Sequence, residues 1–178
     1  MLRRFLFQDW AANSHDGRIR WMLVGFRLAQ HVSQMQRFPR LLFTPYLKLY
    51  RVLAYSFFHM ELNWTLKVGE GLRIYHGYCL VIHPNTRIGK NVTLRHCVTL
   101  GNKSDLERGT PVLEDGVQVG AHAVVIGPVT VGANAIIGAA AVVTRDVPPG
   151  AVVVGNPARV LSSRDQAERA SICSDLAT

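Results

Sequence analysis

The chain has 178 residues, of which 48% are hydrophobic, and a formal net charge of +8. This length suits one compact domain with an appendage, and the apolar content excludes a disordered protein. The positive charge is concentrated near the N-terminus, where nine Lys or Arg residues but only two acidic residues precede Val52. Because no DNA- or RNA-binding motif accompanies that charge, the sequence does not indicate nucleic-acid binding.

The cysteines indicate a reducing compartment. Cys79, Cys97 and Cys173 are odd in number and lack the spacing of metal ligands or of a CxxC redox motif, so we expect free thiols and no disulfide. The N-terminus lacks the pattern of a signal peptide, and no run of about 18 apolar residues is present. We therefore expect a cytoplasmic protein that does not cross the membrane.

Residues 1–61 are predicted to form a helical N-terminal region. Apolar side chains recur there at spacings of three and four, which predicts two or three amphipathic helices. Pro39 and Pro45 separate them. The recurring positions are Trp21, Met22, Val24, Leu28 and Val32, followed by Leu41, Leu42, Tyr46, Leu49, Tyr50, Leu53 and Phe57.

From residue 62 to residue 161 the period changes to six. An aliphatic residue occupies every sixth place, and a small or β-branched residue lies two places earlier. This period indicates a parallel β-helix in which three rungs form a coil of about 18 residues and the main column points inward. We expect one irregularity, a two-residue bulge between Leu80 and Ile82. The main column is Val68, Ile74, Leu80 or Ile82, Ile88, Leu94, Leu100, Leu113, Val119, Val125, Val131, Ile137 and Val143, and the second is Leu72, Thr86, Val92, Val98, Val117, Ala123, Val129, Ala135 and Ala141.

The repeats end in the segment VPPGAVVVGNPARVL, residues 147–161. With this ending, residues 62–161 resemble the hexapeptide-repeat acyltransferase superfamily. The resemblance implies a mainly β fold, a left-handed parallel β-helix with an α-helical N-terminal region, and a homotrimer with active sites between subunits. Residues 162–178 are a polar C-terminal tail without a motif.

The segment IYHGYCLVI, residues 74–82, and the later VTLG, residues 98–101, are similar to the serine acetyltransferase branch and more so to colanic-acid-type exopolysaccharide acetyltransferases. His76 matches the catalytic histidine of that branch. His76 and His96 each lie two places after a main-column residue on adjacent coils, so we expect both imidazoles on one face. An alternative is that one or both only cap a corner of the β-helix.

These histidines suit acetyl transfer to a hydroxyl group. We expect His76 to act as general base for direct attack on acetyl-CoA, and His96 or backbone N–H groups to stabilise the oxyanion. His83 is interpreted as a structural turn residue, and His122 as an outward-facing residue without an assigned role.

The resemblance also predicts the positions that bind acetyl-CoA, and no metal. Alanine lets the pantetheine arm approach the backbone, and arginine offers charge to the CoA phosphates. Alternatively, the alanines only suit the narrow coil. The predicted cofactor-binding residues are Ala121, Ala139, Thr144, Arg145 and Arg159.

The predicted acceptor is a saccharide hydroxyl in exopolysaccharide or surface-glycan synthesis. Serine acetyltransferases have Asp before the catalytic histidine and an Arg-His pair in the following loop, where this chain has Tyr75 and Gly109-Thr110. Tyr75 and Tyr78 could stack on a sugar or simply pack, and Asn102 begins the polar loop; these three are the predicted substrate-binding residues. Serine O-acetylation for cysteine biosynthesis is the alternative function.

The basic N-terminal helices have two interpretations. Lys/Arg-rich amphipathic segments are attracted to an anionic inner leaflet, but the same helices could pack on the β-helix or across a trimer. A zinc enzyme of the γ-carbonic-anhydrase type is disfavoured because its His-x4-His spacing is missing. A non-catalytic β-helix scaffold is a further alternative.

Overall fold

A computed structural model describes residues 2–36, 41–104 and 109–161. The helices are α1 (Leu2–Leu6), α2 (Gly17–Ser33) and α3 (Thr44–Val52), and a π-helical turn (Leu53–Phe57) follows α3. Short strands occupy the rest of the described chain. They are β1 (Met60–Glu61), β2 (Lys67–Val68), β3 (Arg73–Ile74), β4 (Leu80–Ile82), β5 (Arg87–Ile88), β6 (Thr93–Leu94), β7 (Thr99–Gly101), β8 (Val112–Leu113), β9 (Gln118–Val119), β10 (Val124–Ile126), β11 (Thr130–Val131), β12 (Ile136–Ile137), β13 (Val142–Val143), β14 (Val152–Val154) and β15 (Arg159–Val160).

The strands form three sheets that the chain visits in turn. Sheet A has the order β1-β4-β7-β10-β13, sheet B has β2-β5-β8-β11, and sheet C has β3-β6-β9-β12-β14-β15. Strands of successive coils pair in parallel, whereas β15 returns antiparallel to β14. This three-sided coil confirms the predicted parallel β-helix.

Both predicted columns face the interior. Every residue of the second column is buried, and so is the main column apart from half-buried Val68. Within a two-residue strand one side chain points outward and the next inward, as in exposed Arg73 followed by buried Ile74. Because the sheets repeat this alternation on every coil, aliphatic side chains stack along the axis.

The structure corrects the position of the irregularity in the repeat. Ile74 pairs with Leu94 twenty positions on, whereas Ile82 pairs with Leu100 eighteen positions on. The two extra residues therefore lie in the turn between Ile74 and Leu80, and not between Leu80 and Ile82. Leu80 and Ile82 are both buried because they belong to one regular strand with exposed Val81 between them.

A capping aspartate and a proline mark the starts of α2 and α3. The Asp16 carboxylate caps α2 by accepting hydrogen bonds from the N–H groups of Arg18 and Ile19. Pro45 lies in the first turn of α3, where its missing N–H costs no helical hydrogen bond.

Several residues of the predicted apolar face of α3 and the π-helical turn are exposed, namely Leu49, Leu53 and Phe57. No helix among the described residues combines the length and the apolar character that a bilayer span requires.

Side chains from the helical region bond to the backbone of the first coil. The Leu72 N–H donates to Asp9 Oδ1 (2.9 Å), and the Ile74 N–H donates to Asn13 Oδ1 (2.9 Å). Arg27 donates to the carbonyls of Val68 and Gly69 (2.9 and 2.6 Å). These bonds satisfy backbone groups that have no preceding coil to pair with.

A buried ion pair holds this arrangement together. Arg27 Nε lies 2.7 Å from Asp9 Oδ2, and the two side chains are 1% and 2% exposed. The apolar core is also continuous from α2 to β14. Because this core continues across residues 61 and 62, the predicted domain boundary there stays a prediction. The predicted C-terminal tail, residues 162–178, lies outside the described residues.

We predict that Asp9→Ala lowers the free energy of unfolding by about 3–5 kcal/mol, because Arg27 then stays buried without its carboxylate partner. Urea denaturation followed by circular dichroism measures the change. Glu70→Ala is the matched control, since Glu70 and Lys90 form an exposed pair at 3.4 Å and such pairs contribute about 0–1 kcal/mol. Equal unfolding midpoints for the two variants would contradict the assigned role of the Asp9–Arg27 pair.

Candidate active site

One corner of the β-helix carries most of the predicted site. The chain passes from sheet C to sheet A through residues 75–79, 95–98, 120–123 and 138–141 on successive coils. We call this edge the histidine corner, because it contains His76, His96 and His122. Left-handed backbone conformations recur there, with φ of 65° at His76 and 59° at His122. The turn geometry therefore fixes the direction in which each side chain leaves the coil.

The three imidazoles form a ladder along the axis. The ring centroids of His76 and His96 are 5.7 Å apart, and those of His96 and His122 are 5.1 Å apart. Both pairs meet edge to face, at 77° and 85°. The structure thus brings His76 and His96 together as predicted, although His76 lies in the lengthened turn, and it adds His122, which sequence reasoning left without a role. Because Thr99 pairs with Val124, the coil that follows the polar loop brings His122 next to His96.

His96 holds an unsatisfied nitrogen. Its Nδ1 is buried and has no hydrogen-bond partner among the described residues. Leaving a buried polar atom unpaired costs about 1–3 kcal/mol, so such atoms in native proteins call for an explanation. The His96 ring therefore lies between two other imidazoles with one of its own nitrogens unpaired among the described residues.

A small cavity of about 100 Å³ opens beside His76. We call it the acceptor pocket; it is lined by Arg18, Ile19, Phe57, Phe58, His76, Gly77 and Tyr78. Of the three predicted substrate-binding residues, Tyr78 therefore lines the same pocket as His76. The residues of α2 and of the π-helical turn were not predicted, because nothing in their local sequence marks a site.

An aromatic and charged wall closes one side of the acceptor pocket. Arg18 Nη1 donates to the Tyr78 hydroxyl (2.7 Å), and Arg18 Nη2 lies 3.1 Å from Asp16 Oδ2. Partial burial acts to raise the pKa of the Asp16 carboxyl, but hydrogen bonds from Arg18 hold that pKa below its usual value. Asp16 thus stays charged near neutral pH and orients the Arg18 guanidinium.

Gly77 explains how the histidine corner and α2 come so close. Its φ is +43°, and an added Cβ would collide with Cδ1 of Ile19. The turn lengthened by two residues therefore packs directly on α2, and glycine is the residue that permits both the backbone conformation and the close approach.

The structure places the other two predicted substrate residues differently. The Tyr75 ring stacks on His15 at 4.3 Å, and Arg95 lies 5.2 Å from its centroid. Tyr75 lines a separate polar cavity of about 320 Å³ outside sheet C. The Asn102 amide donates to the Ser104 carbonyl (2.9 Å) within the loop after β7. Sugar stacking by Tyr75 and substrate contact by Asn102 stay predictions.

Two of the predicted cofactor residues continue the line of His96. The His122 N–H donates to the His96 carbonyl (3.1 Å), and the Ala140 N–H donates to the Ala121 carbonyl (2.8 Å). In this register Tyr78, His96, Ala121 and Ala139 occupy equivalent places on successive coils. The histidine corner therefore turns from imidazole to methyl side chains toward the C-terminal coils, which fits a groove for a narrow, flexible arm.

The other three predicted cofactor residues lie on two sides of this line. Arg159 is exposed on β15, which pairs with β14 near the end of the histidine corner. Thr144 and Arg145 are exposed just after β13, at the opposite edge of sheet A. The structure therefore does not gather all five predicted positions into one cluster. Their contact with CoA stays a prediction.

The cysteines beside the histidines do not suit covalent catalysis. Cys79 and Cys97 lie at equivalent positions of adjacent coils, each with a left-handed backbone. Burial, with a smaller effect of the Cys79 thiol, raises the pKa of the Cys97 thiol. Its reactive thiolate form is therefore disfavoured.

Outside the histidine corner, the described residues form another opening but no group of metal ligands. An opening of about 610 Å³ lies over sheet B, and neither histidine nor carboxylate is among its lining residues. Within residues 2–36, 41–104 and 109–161, no three His, Cys, Asp or Glu side chains are grouped as metal ligands.

Comparison with known proteins identifies the fold family. Residues 110–145 match the model of the bacterial transferase hexapeptide, six repeats. The chain is 35% identical over 158 residues to the Escherichia coli K12 protein named "Putative colanic acid biosynthesis acetyltransferase WcaB", covering 87% of this chain and 98% of that protein. The chain belongs to the hexapeptide-repeat acyltransferase family. The resemblance stated from the sequence is confirmed.

Serine acetyltransferases are also relatives of this hexapeptide-repeat acyltransferase. The Helicobacter pylori 26695 enzyme is 41% identical over 104 residues, covering 58% of this chain and 61% of that enzyme. The soybean serine acetyltransferase apoenzyme superposes with a TM-score of 0.72 at 27% identity, over 90% of this chain and 69% of that chain. The left-handed β-helix and the acyltransferase class are thereby confirmed, and acetyl-CoA is the acyl donor.

We predict that His96→Phe keeps or raises stability, by about 1 kcal/mol, because the ring stays while the unpaired buried nitrogen disappears. Thermal denaturation measures the change, and His122→Phe serves as control because His122 is exposed. A clear loss of stability confined to His96→Phe would show that Nδ1 has a stabilising partner in solution.

Proposed function

We propose that this hexapeptide-repeat acyltransferase transfers acetyl from acetyl-CoA to a hydroxyl group of a saccharide in exopolysaccharide or surface-glycan biosynthesis. The observation that supports this proposal is the position of His76. Its imidazole lies at the acceptor pocket, beside Tyr78 and 5.7 Å from a second imidazole. A base, an aromatic platform and hydrogen-bonding side chains at one pocket suit a neutral polyol.

In the proposed mechanism His76 is the general base. Acetyl-CoA supplies an acyl group already activated as a thioester. His76 accepts the proton of the acceptor hydroxyl as its oxygen forms the new bond to the carbonyl carbon, and the proton then passes to the departing thiolate. Imidazole suits this task because it titrates near neutral pH. No covalent enzyme intermediate is needed, in keeping with the raised pKa of the Cys97 thiol.

His96 is proposed to stabilise the charge that develops on the carbonyl oxygen. Its ring is the nearest imidazole neighbour of His76 on the described histidine corner, at 5.7 Å between centroids. A donor held in place before the reaction stabilises an oxyanion without reorganisation. This role requires the tautomer that carries its proton on the nitrogen facing the substrate.

The donor groove is proposed to run from His96 toward the C-terminal coils. Small side chains at Ala121 and Ala139 leave room beside the backbone for a pantetheine arm. Arg159 and Arg145 offer guanidinium groups to phosphates, and Thr144 offers a hydroxyl group. Their separation across sheet A fits a groove completed by a neighbouring subunit, as expected for a homotrimer.

Two observations favour a saccharide over serine. The WcaB relative matches along 98% of its length, whereas the Helicobacter serine acetyltransferase matches along 61%. The acceptor pocket is lined by three aromatic rings, from Phe57, Phe58 and Tyr78, and has one charged side chain, that of Arg18. A free amino acid needs partners for both its ammonium and its carboxylate groups. Serine O-acetylation is kept as the second candidate because of the 41% identity within the β-helix.

A cytoplasmic location at the inner face of the membrane is proposed for the enzyme. The helices α2 and α3 contain no acidic residue, whereas Arg18, Arg20, Lys48 and Arg51 are basic. Such helices are attracted to anionic lipid headgroups. The alternative, packing of the same helices within the oligomer, predicts no binding to anionic vesicles.

We predict that His76→Ala lowers kcat by about 10²- to 10⁴-fold without unfolding the protein, because it removes only the positioned base. Release of CoA thiol from acetyl-CoA measures the rate. His83→Ala is the control, since His83 lies in a turn, where its Nδ1 accepts the Asn85 N–H (3.2 Å), and we expect its rate to be retained. Full activity of His76→Ala would remove His76 from the mechanism.

The acceptor class is tested by comparing free L-serine with a panel of mono- and oligosaccharides in the same thiol-release assay. We expect turnover with saccharides and not with serine, because Gly109 and Thr110 replace the Arg-His pair. Turnover with serine alone would make the second candidate correct. No turnover with any acceptor, together with no binding of CoA, would favour the scaffold interpretation.

A further inference from the structure

A second cavity adjoins the acceptor pocket. Its volume is about 230 Å³, and it lies between α2 and α3. We call it the apolar groove; it is lined by Trp21, Met22, Gly25, Tyr46, Leu49, Tyr50, Leu53, Ala54 and Phe58. Phe58 also lines the acceptor pocket, so one aromatic side chain separates the apolar groove from the cavity of His76.

The apolar groove is open to solvent in the described chain. Trp21 is 63% exposed, Leu49 55% and Leu53 46%, and Phe57, which lines the acceptor pocket, is 68% exposed. The two tyrosines of the groove direct their hydroxyl groups to backbone carbonyls, Tyr46 to Gly25 and Tyr50 to Leu62. Burial raises the pKa of Tyr46 to about 12, so its phenol stays neutral. The groove therefore offers an uncharged, mainly hydrocarbon surface.

Basic side chains lie on both helices that form this surface. Arg18 lies in the acceptor pocket, next to Phe57, and Lys48 and Arg51 are exposed on α3. Each terminal nitrogen of Arg18 carries a second N–H beyond the one used in its bond to Tyr78 or Asp16. Guanidinium groups bind phosphate oxygens through such N–H groups. Arg18 and His76 thus line one cavity, and Phe58 joins that cavity to the apolar groove.

We propose that the apolar groove binds the hydrocarbon chain of a lipid-linked saccharide acceptor. The sugar then lies in the acceptor pocket at His76, and the anionic phosphate link lies at Arg18. This inference rests on the proposed saccharide function and specifies the acceptor further. A free sugar fills only the acceptor pocket, whereas a lipid-linked sugar also covers Trp21, Leu49 and Leu53 and gains the hydrophobic contribution of its chain.

Binding is tested without catalysis by titrating dodecyl β-D-glucopyranoside and methyl β-D-glucopyranoside, both below the critical micelle concentration of the dodecyl compound. We expect the dodecyl compound to bind at least tenfold more tightly and to shift tryptophan fluorescence to shorter wavelength. Trp21→Phe should abolish most of that shift, because Trp21 lines the groove. Equal affinity for the two glycosides would overturn the inference.

Two exposed positions of α3 provide a matched pair of variants. Leu49 lines the groove and Val52 does not, although they are 55% and 57% exposed. Leu49→Asp should remove the advantage of the dodecyl chain, and Val52→Asp should preserve it. Equal loss in both variants would overturn the assignment to the groove. Dissociation of the oligomer by Leu49→Asp, seen by sedimentation, would make this face a subunit interface instead.

Kinetics separates this inference from the proposed function. For a sugar that the enzyme acetylates, we expect the alkyl-phosphate-linked form to have a KM at least tenfold lower than the methyl glycoside, and Leu49→Asp to raise only the former KM. Turnover with equal KM values would support the saccharide function and reject the groove. No turnover together with tight dodecyl glycoside binding would reject the function while leaving a lipid-binding groove.

Discussion

The capping of the first coil by buried polar side chains is the interaction on which the rest of the structure depends. A parallel β-helix starts with a coil whose backbone has no preceding neighbour, and unpaired N–H and C=O groups cannot be buried without cost. Asp9, Asn13 and Arg27 supply the missing partners from the helical region. The same bonds hold α2 over the lengthened turn, so the stability of the fold and the shape of the acceptor pocket have a common origin.

The β-helix and the helical region supply different parts of the candidate site. Successive coils of the β-helix hold His76, His96 and His122 at fixed separations, because each turn is locked by backbone hydrogen bonds to its neighbours. Rigid placement of acid–base groups is what acyl transfer requires. The helical region instead supplies Arg18 and Phe57, which contact the acceptor in the proposed function. Specificity can therefore change in the helices without disturbing the catalytic geometry.

The six-residue period predicted the β-helix, because it directly encodes which side chains stack. The contact between His76 and His96 was also predicted, but His76 lies in the lengthened turn and Tyr78 is the residue in register with His96. Sequence reasoning misplaced the two extra residues, since Leu80 and Ile82 can each fill an inward position and only backbone pairing decides. It could not predict Arg18 at the acceptor pocket, because the docking of α2 depends on long-range polar bonds. Tyr75 and Tyr78 look alike in sequence, yet the lengthened turn sends one to His15 and the other to His76.

The most direct test of the account is a crystal structure of the protein with CoA and an alkyl glycoside bound together. We predict that the CoA thiol and a sugar hydroxyl group meet at the His76 imidazole, with the pantetheine arm along Ala121 and Ala139 and the alkyl chain between α2 and α3. CoA bound at another corner, or a sugar bound without contact to Arg18 and Tyr78, would contradict it.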